Sequence, residues 1–190
     1  MSARPIARLA SVLVSSASLA LTLGGCGQKS YPDVADANNI GGYVQAGRIT
    51  YQLQISRELN AYSAEDSGYL AGVRAPPPGR DEEWYGVFLW AKNQTHRPAA
   101  TADSFDIVDT QGSRYYPIPI NPQLNPYAWT AQTLEPLATV PTPGSAAYFG
   151  PTGGKLVLFK INVSAYANRP LTFEIRAPGE TRVSAISIDL

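Results

Sequence analysis

One continuous apolar stretch decides the fold: Trp84-Tyr85-Gly86-Val87-Phe88-Leu89-Trp90-Ala91. Successive side chains of a strand point to opposite faces, so apolar residues at both odd and even positions indicate a strand covered on both sides. The stretch is too short for a convincing buried helix. We therefore expect a central strand here, with packed layers above and below it.

Further strand patterns lie on both sides of this stretch. Residues 49–56 and 171–176 alternate apolar and polar side chains, which is typical of a strand with one buried face. Asp109-Thr110-Gln111-Gly112 has Asp and Gly where a type I turn favours them, and predicts a hairpin between residues 104–108 and 115–118. Two more strands are expected at residues 155–161 and 186–190.

The middle of the chain is rich in proline, with eight prolines between residues 117 and 151. Proline lacks the N–H that a central strand donates, so this segment predicts a loop with short edge strands at residues 127–133 and 145–149. Residues 164–168 are expected to form one helical turn. In total the patterns predict seven to nine strands and an all-β fold, in which two antiparallel sheets pack as a sandwich. A closed barrel is the alternative.

The N-terminal segment has the pattern of a secretory signal peptide. Arg4 and Arg8 precede an apolar run from Leu9 to Leu23, and the run ends in Leu23-Gly24-Gly25-Cys26. These last four residues resemble the lipobox of bacterial lipoproteins. The resemblance implies cleavage between Gly25 and Cys26 and attachment of a diacylglycerol to the thiol of Cys26. The alternatives are a plain signal peptide with a chance cysteine, or a retained membrane helix, for which the run is short.

The chain therefore divides into a signal peptide (1–25), a lipidated cysteine with a flexible polar tether (26–42), and one domain (43–190). Removal of residues 1–25 leaves 13 basic and 15 acidic residues, a balance that argues against nucleic acid as a partner. Cys26 is the sole cysteine, so no disulfide forms within the chain. The expected location is extracytoplasmic, anchored by lipid to the outer face of the cell membrane or to the outer membrane.

Several segments of the domain carry a family resemblance: Gly47-Arg48-Ile49-Thr50-Tyr51, the strand that ends in Lys92-Asn93, the hairpin Phe105–Gly112, and Leu156-Val157-Leu158-Phe159. The domain resembles a family of bacterial lipoproteins with an immunoglobulin-like domain of unknown function, similar to small secreted immunogenic proteins of actinobacteria. The resemblance implies an immunoglobulin-like β-sandwich and an exported location, and it implies no activity. The chain departs from the family pattern at residues 62–79 and in the proline-rich middle.

The sequence contains no recognisable catalytic set. His96 is the sole histidine and lies in a polar turn, and no Gly-x-Ser-x-Gly elbow occurs. Acidic residues cluster at 65–66, at 81–83, and at 103, 106 and 109; calcium at residues 81–83 is an alternative to a solvated turn. Arg57 is expected to pair with Glu65 or Asp66 and to hold residues 62–79 in place. We expect no enzymatic activity, no cofactor and no metal.

The aromatic residues give the remaining functional hint. A possible ligand surface is formed by Tyr115, Tyr127, Trp129 and Tyr148, which lie in or beside the proline-rich middle. Aromatic rings on loops suit glycan or peptide binding, although they also serve to cover a sandwich edge. The leading hypothesis is a lipid-anchored, non-catalytic module that binds a protein partner or envelope component. The alternatives are a glycan-binding module built on these rings and a hydrolase that uses a carboxylate pair.

Overall fold

The computed structural model describes residues 31–36 and 42–188. In chain order its strands are β1 (Val34–Asp36), β2 (Tyr43–Ala46), β3 (Ile49–Leu59), β4 (Glu82–Asn93), β5 (Ala99–Ala100), β6 (Ser104–Val108), β7 (Arg114–Tyr115), β8 (Thr133–Leu134), β9 (Thr139–Val140), β10 (Lys155–Asn162), β11 (Leu171–Arg176) and β12 (Val183–Ile188). Its helices are α1 (Ala64–Leu70), α2 (Ala146–Phe149) and a 3-10 helix (Val163–Ala167). The predicted signal peptide and Cys26 lie outside the described residues.

The strands form two main sheets. The first sheet has the order β1-β12-β11-β6-β7, and the second has the order β10-β4-β3-β2, with β9 also paired to β4. The pairings are antiparallel except that β1 runs parallel to β12. A small third sheet joins β5 to β8. The predicted all-β sandwich is confirmed, and the described residues contain seven strands of four or more residues.

The main core lies between the two sheets. β4 sends Tyr85, Val87, Leu89 and Ala91 into it, and all four side chains are fully buried. The first sheet contributes apolar residues from β6, β11 and β12 to the same core. The ring of Phe173 on β11 stacks on Phe105 of β6 at 5.6 Å and packs edge-on against Phe159 of β10 at 6.1 Å. These contacts join two strands of the first sheet to each other and to the second sheet. Full burial of such side chains contributes about 1.5–3 kcal/mol each.

A register shift in β3 changes which face its later residues cover. The pairing with β4 slips between Leu53 and Ile55, so that Ile55 pairs with Phe88 instead of continuing the alternation of Tyr51 and Leu53. The extra residue of such a bulge turns the following side chains to the opposite face. The sequence prediction of one buried face along residues 49–56 is therefore wrong after Leu53, and Ile55 lies 39% exposed on the outer side.

The outer face of the second sheet is covered by a third layer, which we call the outer layer. It consists of α1 with residues 71–75 and of the proline-rich residues 117–128. Its apolar contacts with the sheet form a second cluster, centred on Leu59, Tyr69, Trp84, Phe88, Leu156 and Leu158. Gly86 leaves room for this packing, since a Cβ there would lie 2.9 Å from Leu59. The prediction that residues 84–91 are covered on both faces is confirmed.

Polar contacts join the two halves of the outer layer. The buried side-chain amide of Asn125 donates to the carbonyls of Tyr69 and Ala71 at 2.7 and 3.0 Å, and its oxygen accepts from the Tyr127 N–H. The Arg57 guanidinium contacts Asp66 at 2.5 Å, and Asp66 also accepts from the Asn60 N–H. The expected pairing of Arg57 with α1 is therefore confirmed.

Three local expectations differ from the structure. Residues 127–133 were expected as an edge strand, but Ala128 forms only a single bridge with Leu156 and a strand, β8, begins only at Thr133. Residues 145–149 were expected as an edge strand but contain α2, because the amides of Tyr148 and Phe149 both turn back to the carbonyl of Ser145. Residues 34–36 fall within the predicted tether but form β1, because the unpaired edge of β12 accepts a parallel strand there. The predicted hairpin is confirmed: the Gly112 N–H donates to the Asp109 carbonyl at 3.0 Å, and Gly112 adopts φ +84°.

Candidate functional site

The predicted aromatic surface is divided among different parts of the molecule. Trp129 packs against Tyr51 and Phe105 of the main core, and its indole N–H donates to the Ala102 carbonyl at 3.0 Å. Tyr115 also packs against the main core, where burial raises its pKa. Both side chains are thus used by the fold.

The other two rings of the predicted surface lie elsewhere. Tyr127 belongs to the outer layer, with its ring edge-on to Tyr69 at 4.7 Å. Tyr148 is 41% exposed on α2, beside Phe149. The structure therefore does not assemble the four rings into one flat surface, because packing against two separate clusters takes up three of them.

Most of the acidic residues considered as metal ligands have structural partners. Asp106 is held between Arg114 and Arg176 at 2.8 and 2.9 Å on the first sheet. Asp109 accepts from the amides of Gln111 and Ser113 and so closes its own turn. Within the described part of the chain, no group of three or more His, Cys, Asp or Glu side chains is placed to hold a metal ion.

A groove lies at the end of the sandwich where β3 ends and β4 begins. We call this end the far end, because it lies opposite the turn between β2 and β3, where Ala46 pairs with Ile49. The groove has a volume of about 320 Å³. It is lined by Glu58, Leu59, Asn60, Ala61, Tyr62, Pro77, Pro78, Gly79, Glu82, Glu83 and Trp84.

The aromatic and proline residues shape the walls of this far-end groove. Tyr62 is 98% exposed and lies three residues beyond the end of β3 at Leu59. Trp84 is buried at the base, and the Lys160 ammonium lies 5.9 Å from the centre of its ring. Pro77 and Pro78 form the opposite rim, where their fixed φ angles restrict the loop.

Three glutamates line the same groove in different electrostatic settings. The Gly79 N–H donates to Glu82 at 2.9 Å and lowers the pKa of Glu82, and Lys160 lies 3.4 Å away and acts in the same direction. Burial raises the pKa of Glu83, and the charge of Glu58 adds to this effect. The Tyr166 hydroxyl donates to Glu83 from the 3-10 helix and opposes it.

The far-end groove can hold a positively charged group. Glu58 is exposed and has no ion-pair partner among the described residues, whereas Glu82 forms an ion pair with Lys160. Prolines and aromatic rings offer flat contact area and lose little conformational entropy on binding. A cationic side chain would meet carboxylates at the groove and the π face of an exposed tyrosine at its edge.

The sequence pattern does not predict this groove. Residues 62–79 stand out only as an insertion, and the acidic residues 81–83 have the pattern of a solvated turn. The available signal is the order of residues, in which Pro76-Pro77-Pro78 is followed closely by Asp81-Glu82-Glu83. Only the pairing of β3 with β4 brings Glu58 and Tyr62, at the end of β3, close to residues 76–83, which precede and begin β4.

Comparisons with known proteins give a distant fold likeness. No protein-family model and no curated protein sequence matches the chain, so the family resemblance stays a prediction. The chain is similar to the yjhA protein of Bacillus subtilis, with 9% identity and a TM-score of 0.48 over 82% of this chain and 99% of that chain.

Two further solved structures are similar at the same level. A putative lipoprotein, ycdA, of Bacillus subtilis subsp. subtilis str. 168 has 10% identity and a TM-score of 0.46, over 77% of this chain and 38% of that chain. An uncharacterized β-sandwich protein of Clostridium difficile 630 has 9% identity and a TM-score of 0.44, over 86% of this chain and 99% of that chain. Identities and scores this low carry no conclusion about function.

Proposed function

We propose that this protein is an exported, lipid-anchored β-sandwich that binds a protein partner or envelope component and catalyses no reaction. The lipobox-like Leu23-Gly24-Gly25-Cys26 supports the anchor and the extracytoplasmic location. No helix in residues 31–36 and 42–188 is long and apolar enough to cross a membrane. The partner would bind in the far-end groove.

One observation carries the binding proposal: the 98% exposed ring of Tyr62 stands at the edge of a groove with rigid proline walls. An exposed tyrosine contributes little to its own fold, whereas tyrosine is enriched in the contact surfaces of protein complexes. Glu58 and Glu82 beside it favour a partner segment that presents a lysine or arginine. The partner class is therefore a protein or envelope polymer with a positive charge at the contact.

Site-specific photo-crosslinking in intact cells tests this proposal. A photoreactive phenylalanine analogue replaces Tyr62 in one variant and Tyr116, which is 62% exposed on another surface, in the control. We expect a discrete crosslinked species from position 62 that is absent from position 116. Glu58→Gln in the same chain should weaken that species several-fold, because one carboxylate is lost. No species at position 62, or the same species at both positions, overturns the proposal.

A hydrolase with a carboxylate pair is the second candidate, favoured by the state of Glu83. Burial raises its pKa, as a general acid requires, and Glu58 supplies a second carboxylate at the same groove. The purified mature protein would be assayed against cell-envelope polysaccharide and peptidoglycan fragments. Turnover that Glu83→Gln abolishes and Glu65→Gln retains would establish the hydrolase. Absence of turnover, together with the position 62 crosslink, leaves the binding module.

A further inference from the structure

Three aromatic side chains form a row where the chain enters the sandwich. The ring centres of Tyr31 and Tyr43 lie 5.0 Å apart, and Tyr43 meets Trp90 edge-on at 6.3 Å. Each of the three residues is half-buried. We call this set the entry row.

The polar atoms of the entry row are unused by the fold. Among residues 31–36 and 42–188, neither tyrosine hydroxyl nor the Trp90 indole N–H has a hydrogen-bond partner. Tyrosine and tryptophan with an apolar body and a free polar tip suit the headgroup level of a bilayer, where one end is apolar and the other is hydrated. Trp129, by contrast, donates its N–H to a carbonyl inside the domain.

The start of the described chain is held firmly beside this row. The Gln45 N–H donates to the Pro32 carbonyl at 3.0 Å, and the Ala185 N–H donates to the Asp33 carbonyl at 2.8 Å. The Asp33 carboxylate also pairs with Arg182 at 2.8 Å. Tyr31 is therefore attached to both sheets at its C-terminal side.

The distance from the proposed anchor to the row is short. Five residue steps separate Cys26 from Tyr31, and a fully extended chain covers at most about 18 Å in that number of steps. The headgroup layer is itself several ångströms thick, on the order of 5–8 Å on each side of the hydrocarbon core. A lipid on Cys26 thus keeps the entry row within reach of the membrane surface.

We propose that the entry row rests in the headgroup layer of the membrane that holds Cys26, with a lipid surface as its occupant. This proposal rests on the lipid anchor of the proposed function. Gln52 of β3 pairs with both Tyr43 and Trp90, so the entry row lies on the outer face of the second sheet, about 23 Å along β3 from Leu59 at the far end. Contact at the entry row therefore leaves the far-end groove at a distance from the contact.

Quenching of tryptophan fluorescence by brominated lipids tests the contact. The full-length protein is processed in cells, purified with its lipid and reconstituted into phosphatidylcholine–phosphatidylglycerol vesicles that carry brominated acyl chains. We expect partial quenching that disappears in Trp90→Phe, because Trp84 is buried beneath the outer layer and the partly buried Trp129 packs against the main core with its N–H bonded inside the domain. Tyr31→Ser, at the first ring of the row, should reduce the quenching without the loss of a tryptophan.

A control at the opposite end defines the orientation. Tyr62→Trp, added to Trp90→Phe, should remain unquenched because it lies at the far end. Wild-type emission that brominated lipids leave unchanged, with protein still bound to vesicles, overturns the entry-row contact and leaves the anchor intact. Unmodified Cys26 by mass spectrometry overturns the anchor itself. A Cys26→Ser protein that dimerises, and loses the dimer with Trp90→Phe, assigns the row to a second copy and overturns the lipid contact.

Discussion

At the scale of single residues, neighbouring carboxylates acquire opposite properties from their contacts. Asp66 is buried, but the Arg57 guanidinium holds its pKa below the ordinary value. Glu83 has no such cation in the part of the chain that the structure describes, and burial raises its pKa. The same chemical group therefore stabilises the fold in one place and opposes it, when charged, in the other.

Replacement of Asp66 by Asn should lower the free energy of unfolding by about 1–3 kcal/mol, because charged hydrogen bonds to Arg57 and to the Asn60 amide are weakened. Since the pKa of Asp66 is lower in the folded state than in the unfolded state, its contribution is complete above about pH 4 and is lost as the pH falls further. Urea unfolding at pH 7 and pH 3 measures both effects. Glu65→Gln is the control, because that carboxylate lies 3.8 Å from Arg57 and is 73% exposed.

Replacement of Glu83 by Gln should raise the melting temperature at neutral pH. Its pKa is raised on folding, so the ionised side chain costs stability above that raised pKa, and the cost disappears as the pH falls below about 4.3. Thermal unfolding between pH 4 and pH 8 should show the advantage of the variant at the upper end only. Glu82→Gln should change the melting temperature in the opposite direction, since the Gly79 amide and Lys160 favour its charged form. Equal profiles for Glu83→Gln and the wild type would contradict the assignment.

At the scale of elements, the outer layer depends on buried amides as much as on apolar contact. Asn125 ties the two segments that the chain separates by more than fifty positions. Asn93 joins distant segments in the same way at the other end of β4, where its side-chain amide donates to the carbonyls of Arg97 and Leu134 at 2.8 and 2.9 Å. These hydrogen bonds satisfy buried loop carbonyls within the protein and so hold the loops in place.

Replacement of Asn125 by Ala should destabilise the protein by about 1–3 kcal/mol, because the buried Tyr69 carbonyl loses its donor. The loss should be concentrated in the outer layer. Hydrogen exchange should therefore quicken in α1 and residues 117–128 while the first sheet keeps its protection. Gln123→Ala, at an exposed position of the same segment, is the control. Uniform loss of protection across both sheets would show that the outer layer does not open separately.

At the scale of the whole molecule, the two ends of the sandwich carry different features. Residues 31–33 enter beside the turn of β2 and β3, and the far-end groove lies at the other end of β3. With an anchor at Cys26, residues 31–33 would lie nearer the membrane anchor along the chain than the proposed partner site in the far-end groove. The domain contains no disulfide, so its stability rests on the main core, the outer layer and the buried amides.

Replacement of Cys26 by Ser should move the protein from the membrane fraction to the soluble fraction, since two acyl chains give stable membrane attachment and their loss leaves only weak contacts. Cell fractionation with detection of the protein measures the change, and Ser30→Ala provides a matched control in the same segment. Complete retention of the Cys26→Ser protein in the membrane fraction would contradict lipid attachment at this residue.

The strand pattern allowed much of the fold to be predicted but little of the site. The continuous apolar residues at 84–91 and the alternation at 171–176 were sufficient to predict these strands, because successive side chains of a strand point to opposite faces of the sheet. The bulge after Leu53 was not predictable, since apolar and polar residues continue to alternate through Leu53 and Ile55 in the sequence. Trp129 looked like a surface ring because a loop sequence does not reveal the Ala102 carbonyl to which it donates.

The sequence by itself determined the all-β class and the double cover of β4, and it predicts the export signal, because each depends on the order and spacing of apolar residues in one segment. Only the tertiary structure decided which side chains meet. It placed Glu58, Tyr62 and Glu83 around one groove and packed Trp129 against the main core. The physical reason is that burial, pKa and exposure arise from contacts between segments far apart in the chain, and local periodicity carries no information about those contacts.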